Sequence, residues 1–202
     1  ESYWIEAVSA AFLRMHTRAR QRENFHGSLC RQPHGPLALV SVRSVAQDVH
    51  RREAHLQRDE SAACYLIQQT QAPWTVAQDH RLVELAPGDL VLVDGARPYQ
   101  FHCPQGVDNL SLELPRAWLD QWLASPPTAQ RIDGGHGIGL ALRGLLQAGK
   151  QLARQRYIAQ MAGCQRRCIQ GRCPAGRRQF SKATALGLGH PLAQHVGAGA
   201  RL

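Results

Sequence analysis

The feature that most limits what this chain can become is its punctuation between residues 64 and 114. CYLIQQTQ (64–71) reads as a strand and stops at Ala72-Pro73. WTVAQ (74–78) and RLVEL (81–85) flank Asp79-His80, a link of hairpin length. Two-residue hairpins need positive φ at both positions and favour Asn or Asp followed by Gly, so His80 is an imperfect second residue. APGD (86–89) is a turn, because proline fixes φ early and glycine supplies the conformation that follows. LVLVD (90–94), YQFHC (99–103) and LSLEL (110–114) come next, separated by GARP and PQGVDN. Strands this short and this close leave no room for crossover helices. The pattern predicts an antiparallel sandwich or barrel.

The flanks add helices. Residues 3–15 place Trp4, Ile5, Val8, Phe12 and Met15 at roughly helical spacing, with a strand as the alternative for part of the segment. Residues 24–36 read as a strand edge broken by turns. LALVSVRSV (37–45) predicts a strand with Leu37, Leu39, Ser41 and Arg43 on one face and Ala38, Val40 and Val42 on the other. Residues 47–60 are polar and read as a loop or an irregular edge strand, with Arg51 and Arg52 as a solvated pair. At 115–123 the period changes: Pro115 suits a first helical turn, and Trp118, Leu119, Trp122 and Leu123 form a helical stripe. From Gly139 to about Gln160 a second helical pattern carries Leu142, Leu145, Leu146, Leu152 and Ile158. The fold class is therefore mainly β with C-terminal helices.

Charge divides the chain. The formal net charge is +9. Residues 1–125 hold a balance of −2, whereas residues 126–202 hold +11 with Asp133 as their single acid. A basic footprint of the kind nucleic acid attracts is thus confined to the C-terminal part. Residues 161–202 are rich in Gly, Ala and Arg and keep no period, and they read as a poorly ordered tail or as sequence foreign to the domain. The expected division is 1–124, 125–160 and 161–202. Six cysteines are too sparse and uneven to demand a disulfide framework. Cys164, Cys168 and Cys173 with His190 or His195 invite a zinc reading, but their spacing is unlike that of structural zinc sites. No apolar run approaches the ~20 residues of a membrane span, no signal peptide is evident, and a cytoplasmic protein is expected.

AQDHRLVEL, APGDLVLVDGARPYQF and LSLELPRAWL, preceded by GPLALVSVRSVAQDVHRR, resemble the N-terminal sensor half of AraC/XylS-type transcriptional regulators, the cupin-like "AraC-binding-like" domain. The resemblance covers about residues 4 to 158. It implies a small antiparallel β-barrel followed by helices, which binds an effector inside the barrel, dimerises through the helices, or both. Leu142, Leu146, Leu152 and Tyr157 would carry dimer contacts, although docking back onto the barrel needs the same leucines. The family continues into a DNA-binding domain with two helix-turn-helix units. Nothing after Gln160 looks like such a pair, so DNA contact is expected only through a domain absent here. Metal-binding cupins carry a histidine where this chain has Tyr99, and a His-x-His set with Glu where it has CYLIQQTQ. His102 and Cys103 face opposite sides of one strand. No metal, cofactor or catalytic residue is expected.

That leaves a non-metal pocket. The candidate liners are Tyr65, Ile67, Trp74, Val76, Leu92, Tyr99, Phe101 and Leu112, with solid packing of a small barrel as the competing reading. Parity places Tyr99, Phe101 and Cys103 together, and we expect Tyr99 and Phe101 to point inward. Both faces of 90–94 are apolar, so other chain should cover its outer side. Arg97, extended because it precedes Pro98, meets a carboxylate ligand or sits at the rim. Asp89 caps its own turn. The alternatives are a small metal-dependent cupin enzyme and a nucleic-acid-binding protein acting through the basic tail.

Overall fold

Trp74–Gln78 and Arg81–Leu85 pair antiparallel across Asp79 and His80, whose φ values of 54° and 61° give the tight two-residue turn that the link length predicts. Histidine is accepted at the second position although glycine would adopt it more readily. The structure, a computed structural model, describes residues 2–20, 23, 25–57, 63–169 and 193–197. In chain order the elements are α1 (Ser2–Ala11), β1 (His16–Ala19), β2 (His26–His34), β3 (Leu37–Ser44), β4 (Gln47–Arg51) and α2 (Glu53–Leu56). They continue with β5 (Ala63–Gln69), β6 (Trp74–Gln78), β7 (Arg81–Leu85), β8 (Leu90–Asp94), β9 (Tyr99–Cys103), β10 (Val107–Pro115) and α3 (Arg116–Leu119). β11 (Arg131–Ile132), α4 (Gly137–Ile169) and β12 (Ala193–Gly197) complete the described chain.

Two sheets result, ordered β1-β4-β9-β6-β7 and β11-β8-β5-β10-β3-β2-β12. Their ladders are antiparallel, as the short connections require. The central strands β5 and β8 of the larger sheet are buried on both sides, and the sheet sorts its side chains by parity. Val40, Val42, Tyr65, Ile67, Val91 and Val93 enter an inner core shared with the smaller sheet. Leu39, Cys64, Leu66, Leu90, Leu92 and Leu110 enter an outer core that Leu146 of α4 closes. The face assignment read from 37–45 holds, and the outer side of 90–94 is covered as expected.

Several local expectations need correction. Residues 26–34 form one continuous strand, because β2 pairs with β3 from Gly27↔Ser44 to His34↔Leu37. Gln47–Arg51 is no edge: β4 lies between β1 and β9. Its Arg51 is only 2% exposed and not solvated. The Arg51 Nε donates to the Gly95 carbonyl at 2.8 Å, and Nη1 donates to the Arg14 carbonyl, so one guanidinium ties two turns to the strand end. The 115–123 helix shrinks to Arg116–Leu119. Pro115 ends β10, with φ −56° and ψ 130°, and does not stand inside the helix. Leu119 alone of its stripe is buried, while Trp118, Trp122 and Leu123 are exposed.

α4 begins at Gly137 and runs to Ile169, past the expected boundary near Gln160. Residues 170–192 and 198–202 lie outside the described residues, so the disorder expected of the tail is not addressed there. The same holds for Cys173 and His190, and for the side chains of Cys164, Cys168 and His195. β12 pairs with the β2 edge.

Candidate functional site: a cavity without charged walls

The inner faces of the two sheets do not fill the space between them. A cavity with about 50 Å³ of free interior remains, or about 560 Å³ with its mouth included. A single water needs ~10–15 Å³ by the first measure, so there is room for a few waters or one compact ligand. The larger sheet supplies Tyr65, Ile67, Val93, Asn109 and Ser111; the smaller supplies Thr17, Val49, Tyr99, Phe101 and Cys103. Val8 and Phe12, from α1 and its end, close one side.

α1 is held there by Trp4. Its ring sits so close over Gly27 that a Cβ at that position would lie 2.8 Å from it, a contact only glycine permits. The Trp4 Nε1–H donates to Gln47 Oε1 at 3.1 Å, which joins α1 to a cavity-lining residue of β4. Aromatic faces shape the interior. Tyr99 and Phe101 stack at 4.7 Å with a 17° interplanar angle, and Phe12 meets Tyr65 edge-on at 5.5 Å. The Tyr99 hydroxyl donates weakly toward Met15 Sδ at 3.9 Å.

Among the described residues no Asp, Glu, Lys, Arg or His lines the cavity. Two of its ionisable groups, Cys103 and Tyr65, are held neutral by burial. Burial pushes the Cys103 thiol up to about 12, with the Asp48 charge adding to the effect. Burial, then the Glu113 charge, pushes the Tyr65 hydroxyl far above the usual phenol range. Among the described residues no group of three or more His, Cys, Asp or Glu could hold a metal ion. His102 faces outward, with Nδ1 2.7 Å from Asp48 Oδ1.

Of the residues expected to line a pocket, Tyr65, Ile67, Tyr99 and Phe101 do so. Trp74 and Val76 are buried in the same inner core but stand behind the wall; Trp74 backs Phe101 at 5.2 Å and 77°. Leu92 and Leu112 face the opposite way. Parity on β8 and β10 sends them to the outer leucine core, so neither touches this cavity. Arg97 is no ligand-facing arginine either. It pairs with Asp79 at 2.7 Å and Asp94 at 2.9 Å, two carboxylates of its own chain. Asp94 is 1% exposed and also accepts from Arg116, a network that locks the β8–β9 turn to α3.

Asp89 caps its turn as expected: Ala86 N–H donates to its Oδ2 at 2.9 Å, beside Gly88 at φ 97°. It also accepts from Arg131 Nε at 2.6 Å and from the Gly134 amide at 3.3 Å, which fastens the loop that leads into α4. Cys64 is fully buried as a small hydrophobe, its thiol raised to about 11 first by burial and then by Asp94.

Sequence reasoning missed Thr17, Asn109 and Ser111. The signal was present in VDNLSLELP: alternation puts Val107, Asn109 and Ser111 on one face and Leu110, Leu112 and Leu114 on the other. The leucine face is the natural choice for an interior, but here α4 covers it and the polar face looks inward.

The helix residues divide in the same way. Leu146 is 2% exposed and Leu142 half-buried, both against the outer core, so they dock α4 on its own sheet and are not available to a partner. Leu152 is exposed, in line with exposed Leu145 and Ile138 at seven-residue intervals. The Tyr157 side chain lies outside the described ones. Gln147 Nε2 donates to Gln68 Oε1 at 2.9 Å, and Lys150 Nζ lies 3.8 Å from Asp108 Oδ1. α4 thus rests on the backs of β5 and β10, whose fronts line the cavity. A second depression, an open groove of about 750 Å³ bordered by Arg52, His80 and Arg81, lies on the surface, and Arg81 there already donates to the Thr128 carbonyl at 3.1 Å.

The family description "AraC-binding-like domain" matches residues 4–156. "Uncharacterized protein in nit 5'region" from Bacillus sp. (strain OxB-1) is 26% identical over 118 residues, covering 58% of this chain and 46% of that protein. "Transcriptional activator NphR" from Rhodococcus sp is 29% identical over 122 residues, covering 58% of this chain and 36% of that protein. The match spans less than half the length of either relative. Among solved structures, the AraC-like transcriptional activator CuxR superposes with a TM-score of 0.51 at 17% identity, over 57% of this chain and 43% of that one, a likeness of fold. No described helix is long and apolar enough to cross a membrane.

Proposed function

We propose that this chain, which belongs to the family of AraC-binding-like domains by its match over residues 4–156, is the ligand-sensing part of a transcription regulator of the AraC type and not an enzyme. The observation that carries this reading is the cavity whose walls are shared with the seat of a helix. β5, β8 and β10 line it with one face and hold the outer leucine core of α4 with the other. A ligand that prefers one arrangement of these strands shifts the population of helix positions, which is how occupancy inside becomes a signal outside. Among the described residues the wall carries no carboxylate, imidazole, ammonium or guanidinium group, which suits the binding of a neutral ligand.

Self-association is the second element. Ile138, Leu145 and Leu152 repeat every seven residues on the exposed side of α4, the spacing of a helix seam. We assign dimer contacts to that stripe in place of Leu142 and Leu146.

Native mass spectrometry of the purified chain with a small-molecule library tests the sensing reading, with Ser111→Leu as a filled-cavity control. Adducts that the filled variant loses, accompanied by slower amide exchange along α4, are expected. Adducts unaffected by the substitution, or without effect on α4, would contradict it.

A further inference from the structure

Two polar atoms in the cavity wall have no partner. Thr17 Oγ1 and Asn109 Oδ1 are both buried and unbonded. Thr17 itself is 1% exposed. They come from different sheets, Thr17 from β1 and Asn109 from β10, and both line the same space. Buried polar groups are seldom left unpaired, because desolvation is uncompensated without a hydrogen bond. Gln47 shows the contrast: it lines the same wall, yet its Oε1 is occupied by the Trp4 indole. An acceptor on one sheet and a hydroxyl on the other therefore await a molecule between them.

The wall also states what that molecule is not. An ion buried there would find no counter-charge among the lining residues, and burial of an unpaired ion is prohibitive. The free interior of about 50 Å³ limits size. The stacked pair Tyr99–Phe101 and the edge-on pair Phe12–Tyr65 present flat aromatic surfaces, which favour a planar guest.

We propose that the cavity takes an uncharged, flat molecule of about one ring that carries a hydrogen-bond donor, with Asn109 Oδ1 accepting from it and the Thr17 hydroxyl completing the pair from the facing sheet. The proposal rests on the sensing role above and specifies the chemical class of the ligand. Such a guest bridges the two sheets, and so bears on the strands that seat α4.

Isothermal titration calorimetry at pH 7 with benzamide, benzoate and benzylamine tests it, since the three share a ring and differ in charge. Benzamide is expected to bind, with benzoate and the benzylammonium ion at least tenfold weaker. Thr17→Val should weaken benzamide a few-fold and Asn109→Leu about tenfold, the order expected for one lost hydrogen bond each. Thr17→Val keeps side-chain shape and so separates lost recognition from lost folding if Asn109→Leu is unstable. Tighter binding of either charged analogue would overturn the uncharged class while leaving the sensing role intact. No heat with benzamide, or unchanged affinity in Thr17→Val, would overturn the proposal as well. The sensing role itself falls on the separate results named above: adducts that survive in Ser111→Leu, or adducts without effect on α4.

Discussion

The two faces of the seven-stranded sheet use the same strands and obey different packing rules. On the outer face leucines from β3, β5, β8 and β10 interlock with Leu146, and Leu90 and Leu110 are wholly buried. On the inner face valines and aromatic rings meet a facing sheet and leave a void edged by two unpaired polar atoms. Both faces are apolar, so apolarity alone does not tell a helix seat from a ligand chamber. Side-chain size and the placement of Asn109 and Ser111 do. Leucine reaches far enough to close a helix–sheet gap, whereas valine and serine stop short of the opposite sheet.

The sharpest way to break this contrast is truncation. Leu146→Ala should cost about 2–5 kcal/mol in urea unfolding, because it opens a hole in a close-packed seam. Ile67→Ala removes as many carbons from a wall that already borders free volume, and should fall at the low end of the same range. Equal costs would mean that the inner face is packed as solidly as the outer.

Alkaline titration probes both faces at once, since Cys64 belongs to the outer core and Cys103 to the inner wall. Their thiols are raised from 9.0 to about 11 and about 12. Between those values the folded chain keeps protons that the unfolded chain releases, so the stability contribution is complete below pH 9 and is lost as pH climbs toward 12. The melting temperature should fall by several degrees from pH 9 to 11, and Cys64→Ala with Cys103→Ala should flatten the curve. A pH-independent melting temperature in the unmodified chain would contradict burial of both thiols.

Leu145→Glu and Leu152→Glu should leave unfolding free energy within about 0.5 kcal/mol, as exposed substitutions usually do. Sedimentation should show weaker self-association. Loss of stability instead would place the stripe against the chain itself. The smallest effect is expected for Thr17→Val without ligand: no change or slight stabilisation in thermal melts, because the hydroxyl it removes has no partner. Clear destabilisation would mean that the hydroxyl is bonded after all.

Much of this was legible in the sequence. Turn chemistry located the Asp79-His80 hairpin and the APGD turn, and parity predicted inward Tyr99 and Phe101. What escaped depended on partners distant in the chain. Arg51 reads as a surface charge until the Gly95 and Arg14 carbonyls are seen to receive it. Leu92 and Leu112 read as pocket walls because nothing local says that a helix beginning at Gly137 covers their face. Asn109 reads as part of a turn, because β10 begins at Val107 and not at Leu110.

A crystal structure grown with saturating benzamide tests most directly whether the inner face is a ligand chamber. Density for one ring between the sheets is predicted, its amide N–H within hydrogen-bond distance of Asn109 Oδ1 and its carbonyl oxygen near the Thr17 hydroxyl. A cavity closed by its own side chains, or a ring bound only in the surface groove beside Arg52 and Arg81, would contradict it.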